Sequence, residues 1–247
     1  MKIVFLSPHY DDAIYSCGGT IFTLTQQGHQ VTIWTLMAGI PTLPLPTTPV
    51  LEDNHQRWQS GENPVLIRRQ EDQTASRIVG AKTHYAELLD CIYRTVDDVP
   101  LYPSEVSLWQ TIHPEDPALA YLNTLDLTEF DQIYAPLGVG EHVDHLIVRD
   151  WAWQLTQTQT VPVHFYVEYP YCRNRTIVNQ ALENHPASLR LEMRSFSEQA
   201  MQHKVKAMAA YQSQISSFWD DESAIDDEVR QTFTHNGQFV EEFAHII

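Results

Sequence analysis

The opening stretch constrains the fold most. "KIVFLS", "DAIYSCGGTIFTLTQQGH" and "QVTIWTLM" follow one another with short links. The first is short, apolar and rich in β-branched and aromatic residues, with a Pro behind it, so it reads as a strand buried on both faces. The second reads as a helix, with Asp12 near its start and Gly28 past its end. The third is another strand. Strand, helix and strand joined this tightly make a right-handed crossover, which forces the two strands to lie parallel.

The rest of the chain continues the theme. "PVLIRRQEDQTASRIVGA" has helical spacing, with Pro64 in the first turn and Gly80 at the stop. "THYAELL" is expected as a third strand, and 100–125 as an irregular helical stretch interrupted at "HPEDP". "FDQIYAPL" is a strong strand, followed by "GVGEHVDH", a helix "HLIVRDWAWQLTQT" and a strand "VPVHFYVEY". Ser195 and Glu198 in "SFSEQ" have capping-box spacing ahead of a helix through "MQHKVKAMAAYQSQ". This order predicts an α/β fold: a Rossmann-like, open, mostly parallel sheet with helices on both faces, as one domain over 1–247. Between about 39 and 63, "PTLPLPTTPV" and "EDNHQRWQSGEN" show no period and are expected as a Pro-rich loop.

Charge narrows the partners. With 32 acidic and 15 basic residues the formal net charge is -17, which repels phosphate backbones and anionic membranes. Nucleic acid is therefore excluded, and a neutral or cationic small molecule is favoured. No apolar run is long enough to insert in a membrane, and the N-terminus turns polar too soon for a signal peptide. Cys17, Cys91 and Cys172 are scattered without CxxC spacing, which suits a reducing cytoplasm. A homo-oligomer is compatible with all of this. A nucleotide-binding module is disfavoured by the missing glycine fingerprint.

Two clusters carry the chemistry. "SPHYDD" gathers His9, Asp11 and Asp12 where the first strand ends, and two adjacent carboxylates repel unless a cation relieves them. "GEHVDH" gathers His142, Asp144 and His145 after the strand "QIYAP". Both lie at the carboxyl ends of strands, where open α/β sheets place their ligands. Hydrolytic zinc sites use three N/O ligands and keep one position open. Blander readings stand beside this one: Asp12 as a simple helix cap, and His142 with His145 as one exposed turn.

"PHYDDAIYSCGG" with "HVDH" resembles the zinc-dependent N-deacetylases of the PIG-L/LmbE-like superfamily, whose signatures read PHPDDE and HPDH. "RRQEDQTASRIVGA", "KVKAMAAYQSQ" and "GQFVEEF" resemble further family segments, so the likeness runs along almost the whole chain. The resemblance implies hydrolysis of an N-acetyl group on an amino sugar or related glycoconjugate, with Zn2+ or another divalent transition metal. It implies His9, Asp12 and His145 as metal ligands and Asp11 as general base on the attacking water. His142 would stabilise the oxyanion or assist the leaving amine, Asp144 would orient it, and Arg68 would contact substrate, with Arg69 a neighbouring candidate. Tyr10 and Ala13 depart from the family pattern, where Pro and Glu are usual. Ala13 keeps a second reading open, a catalytically silent member that binds a small molecule. The substrate itself is not written in the sequence.

Overall fold

The apolar run at the N-terminus is β1 (Lys2–Ser7), and the segment behind it is α1 (Asp12–Gln26), followed by β2 (Gln30–Thr35). The computed structural model describes residues 1–58, 64–158, 161–219, 221 and 223–247. Two helices follow, α2 (Pro49–Trp58) and α3 (Pro64–Ile78), then β3 (Lys82–Tyr85). β4 (Gln132–Pro136), α4 (Val143–Thr158) and β5 (Val163–Tyr166) form a second crossover. The chain closes with α5 (Arg175–Asn184), β6 (Leu189–Phe196), α6 (Glu198–Met208), α7 (Ser223–Thr232) and β7 (Gln238–Ile246).

The strands stand in the order β3-β2-β1-β4-β5-β7-β6, with a short strand at Thr234–His235 added against β7. The five from β3 to β5 are parallel, and β7 pairs antiparallel with both β5 and β6. The expected mostly parallel sheet is present, with an antiparallel edge the sequence reading did not assign. Successive strand side chains point to opposite faces. Accordingly Ile3 and Phe5 join one core, with α1, α3 and α6, while Val4 and Leu6 join the other, with α4 and α5. Among the described residues no helix is long and apolar enough to cross a membrane.

Three local expectations need correction. Part of the stretch expected as a Pro-rich loop is α2, which buries only Val50, Leu51 and Trp58. So thin an apolar stripe leaves little periodicity to read, and tertiary packing decides the matter; residues 59–63 lie outside the described residues. The helix cap is Ser197, whose side chain accepts from Ala200 N–H, rather than Ser195. Ser195 belongs to β6 and pairs with Val240, so the sheet takes the residue that spacing assigned to the helix. The irregular 100–125 stretch begins at the end of a two-residue strand, Val99–Pro100, and its helical content is a 3₁₀ turn at Glu105–Trp109 and a short helix at Ala118–Leu122.

Candidate metal centre and active-site cleft

The turn from β1 into α1 is tied by short polar contacts. Ser7 Oγ donates to His9 O (2.6 Å) and accepts from Ala13 N–H (3.0 Å), while Asp12 Oδ2 accepts from His9 N–H (2.7 Å). Asp11 occupies the N-cap position of α1 but its side chain makes no capping hydrogen bond. That carboxylate is therefore free to face the cleft.

The other half of the site comes from the turn after β4. Gly140 and Glu141 both adopt positive φ, 88° and 63°. A Cβ on Gly140 would meet the Tyr171 ring at 2.9 Å, so the close approach also needs glycine. This turn swings the chain so that His142 precedes α4 and Asp144 and His145 fall in its first turn. β1 and β4 are neighbours in the sheet, so the two clusters meet.

Ligand atoms of His9, Asp12 and His145 lie within 4.8 Å of one another. Asp12 Oδ2 is 3.3 Å from His9 Nδ1 and 3.4 Å from His145 Nε2. Each imidazole is backed on its far side by a carboxylate: His9 Nε2 by Asp144 Oδ2 at 3.0 Å, and His145 Nδ1 by Glu168 Oε1 at 3.3 Å. Carboxylate-backed imidazoles with a carboxylate between them are the donor set of a divalent metal site. The electrostatics agree. Burial opposes charge on His145, yet Asp12 and Glu168 raise it to about 9. Burial likewise opposes charge on His9, but Asp90, Asp12 and Asp144 raise it well above its ordinary value. Burial would also keep Asp12 neutral, but the two histidines hold it well below the usual carboxylate range. The cluster attracts positive charge, and its N/O donors fit a divalent cation.

Asp11 is a different kind of carboxylate. Burial pushes it above the usual range, against the pull of Arg68, whose Nη2 stands 3.5 Å from Oδ1. Arg68 is buried, with its guanidinium 4.5 Å from the centre of the Trp58 ring. Arg69 points elsewhere, donating to Ala38 O at 2.7 Å and lying over Tyr85. Of the two arginines, Arg68 lines the cleft.

His142 is held neutral: burial and then His9 lower it to about 3. Its Nδ1 accepts from Asp144 N–H at 3.3 Å, which leaves the ring proton on Nε2. Cys91 Sγ lies 3.9 Å from its Nε2. The Asp144 carboxylate, expected to orient His142, contacts His9 Nε2 and pairs with Arg94, and ligand atoms of His9, His142 and Asp144 lie within 4.8 Å of one another. Ala13 is fully buried at the start of α1, and Asp144 and Glu168 supply carboxylate support around the centre.

These groups open into a cavity of about 250 Å³. Sequence reasoning missed several of its walls. Asp90, just past the segment expected as a third strand, lies 3.7 Å from His9 Nε2. Trp58 and Trp109 line the cavity, the latter with its ring 5.0 Å from that of His142. Glu168 and Arg94 were also missed. Their signal was a charged residue placed in an otherwise apolar, strand-like neighbourhood, which becomes meaningful only once a buried partner is known.

A model of the family described as PIG-L, GlcNAc-PI de-N-acetylase, matches residues 4–156. The chain is 29% identical over 185 residues to the 2'-N-acetylparomamine deacetylase of Niallia circulans, covering 68% of this chain and 66% of that protein. It is 25% identical over 237 residues to the enzyme of the same name from Streptomyces fradiae, covering 95% of this chain and 77% of that protein. The first alignment thus spans slightly less than two thirds of its relative. Among solved structures, the zinc inhibited form of teicoplanin deacetylase Orf2 superposes with a TM-score of 0.83 at 24% identity, covering 100% and 98% of the two chains. The A40926 pseudoaglycone deacetylase Dbv21 superposes with a TM-score of 0.77 at 26% identity, covering 99% and 96%. The family match takes in both strand-end clusters and more than half of the residues; the chain belongs to the PIG-L family of GlcNAc-PI de-N-acetylases.

Proposed function

We propose that the chain hydrolyses the acetamido group of an N-acetylated amino sugar or a glycoconjugate bearing one, releasing acetate and a free amine. His9, Asp12 and His145 would hold a divalent cation, with Zn2+ the first choice for two imidazoles and a carboxylate. The observation that carries this reading is the convergence of those three donors beside an uncapped, buried carboxylate and a neutral imidazole. The names of the relatives, two 2'-N-acetylparomamine deacetylases and the A40926 pseudoaglycone deacetylase Dbv21, support the substrate class.

When bound, the cation polarises the amide carbonyl and makes the attacking water more acidic. The protein's own groups do the rest. Asp11 takes a proton from the attacking water, and its raised proton affinity suits a base near neutral pH. Arg68 holds that carboxylate and faces the substrate. The Nε2–H of His142 donates to the carbonyl oxygen as charge develops on it, acting as a neutral electrophile. Asp11 then returns the proton to the amine nitrogen as the C–N bond breaks. One water enters, and acetate and amine leave in equal amounts.

The test is acetate release from a panel of N-acetylated amino sugars and aminoglycosides. Wild-type protein with Zn2+ should release acetate and amine one to one, lose this on dialysis against a chelator, and recover it when metal is restored. A metal-loaded protein that binds these sugars without releasing acetate would favour the silent binding role instead. Trp109, 37% exposed at the mouth of the cavity, is expected to stack on the sugar. Trp109→Ala should raise KM for a glycoside roughly 10-fold while sparing kcat, since such a contact is worth about 1.4 kcal/mol. Steady-state kinetics at saturating metal would check it.

A further inference from the structure

Arg94 is 3% exposed and sits between two buried carboxylates. Its Nη2 lies 2.5 Å from Asp144 Oδ1 and 2.9 Å from Asp116 Oδ2, and its Nη1 donates to Leu89 O at 3.0 Å. The two carboxylates lead in different directions. Asp144 Oδ2 accepts from Cys91 N–H (3.1 Å) and contacts His9 Nε2 (3.0 Å). Asp116 belongs to the irregular segment that walls the cleft. Its Oδ2 accepts from Tyr102 O–H (2.7 Å), its Oδ1 accepts from Ala118 N–H (2.9 Å), and the Tyr102 hydroxyl accepts from His113 N–H (3.0 Å). Leu108 and Trp109, which line the cleft, lie on that segment between Tyr102 and Asp116.

We propose that Arg94 is a positioning residue for both halves of the site: it holds Asp144 against the metal ligand His9, and through Asp116 it anchors the substrate-facing wall. The metal half rests on the reading of His9 as a ligand given above. A carboxylate oxygen held 3.0 Å from His9 Nε2 favours the His9 tautomer with the proton on Nε2. The Nδ1 lone pair is then left facing Asp12, 3.3 Å away. The guanidinium engages Asp144 Oδ1 at 2.5 Å in a charge-assisted contact, which leaves Oδ2 directed at His9 Nε2 and Cys91 N–H. The wall half is separate in kind. The 101–116 stretch has little regular structure of its own, and the Arg94–Asp116 pair ties its far end to the floor of the cleft.

Three variants separate the two halves. Divalent-metal affinity is measured without substrate, by competition between the apo protein and a chromophoric chelator for Zn2+, and kcat and KM are measured at saturating Zn2+. Arg94→Met should weaken metal binding by about 10- to 100-fold, the usual cost of losing support behind a ligand. Its KM should stay raised even when excess metal restores occupancy. Arg94→Lys, which keeps the charge but not the fork, should recover part of the metal affinity. Asp116→Asn should raise KM and leave metal affinity within twofold of wild type. Arg94→Met exposes two unpaired buried carboxylates and can fail to fold, in which case Arg94→Lys and Asp116→Asn decide. Folded variants with wild-type metal affinity and wild-type KM would overturn the proposal. A wild-type protein that binds no divalent cation would sink the reading of the centre and the metal half with it, whereas metal binding indifferent to Arg94 sinks the proposal alone.

Discussion

Asp11→Asn is expected to keep the divalent cation and to lose turnover by between roughly a hundredfold and ten-thousandfold, the range a positioned general base supplies. The substitution preserves shape and removes only the ability to take a proton. Asp11 is not among the three converging donors, which are His9, Asp12 and His145, so metal affinity should stay close to wild type. Its N-cap position costs nothing extra, because the side chain makes no capping hydrogen bond. Arg68 loses the charge 3.5 Å away but keeps its place against Trp58, so KM should move little. Acetate release at saturating substrate, read beside zinc content per chain, checks the claim. Undiminished turnover would remove Asp11 from the reaction. Loss of metal instead would make it a ligand and require a different base.

The parallel half of the fold was legible because its determinants are local. β1, α1 and β2 are set by apolar runs, a helix start and a stop, and they form where those signals fall. The two clusters were legible for the same reason, since strand-end placement follows from the strands. What escaped is long-range. Nothing around Arg94 announces that it will sit between Asp144 and Asp116, and nothing in "VEYP" announces that Glu168 will accept from Gly138 N–H at 2.6 Å and back His145. The β6–β7 edge escaped because β6 is largely exposed and lacks the unbroken apolar run that marks β1. Segments that resembled the family without a stated role acquire one through packing. Glu71 accepts from Ser213 N–H and Oγ–H at 2.8 and 2.6 Å, which docks the turn after α6 onto α3. The Tyr211 hydroxyl lies 2.9 Å from Tyr10 O, in the turn between β1 and α1, and 2.8 Å from Asp72 Oδ1. These residues hold the scaffold behind the chemistry.

Lys204→Met should cost about 3–5 kcal/mol of stability, the usual result of removing one partner from a buried ion pair. Lys204 is fully buried on α6. Its ammonium donates to Glu241 Oε1 at 2.8 Å and to Tyr15 O at 2.6 Å, and it lies 3.8 Å from the centre of the Phe233 ring. Glu241, on β7, also accepts from Gly19 and Thr20 N–H at 2.9 and 2.8 Å. One carboxylate thus joins the antiparallel edge, α6 and the middle of α1. Methionine keeps the length and apolar bulk of the stem, so the loss is electrostatic rather than a cavity. For a chain of this size the melting temperature should fall by roughly 6–20 °C. The double variant Lys204→Met with Glu241→Gln should recover much of the loss, because neutral partners leave no uncompensated charge, and the two changes should be far from additive. Metal affinity measured well below the melting transition should remain near wild type, since α1 carries Asp12 at its other end. Calorimetric melts of the two single variants and the double decide it: single variants that melt with the wild type would show that the pair contributes specificity of packing and little stability.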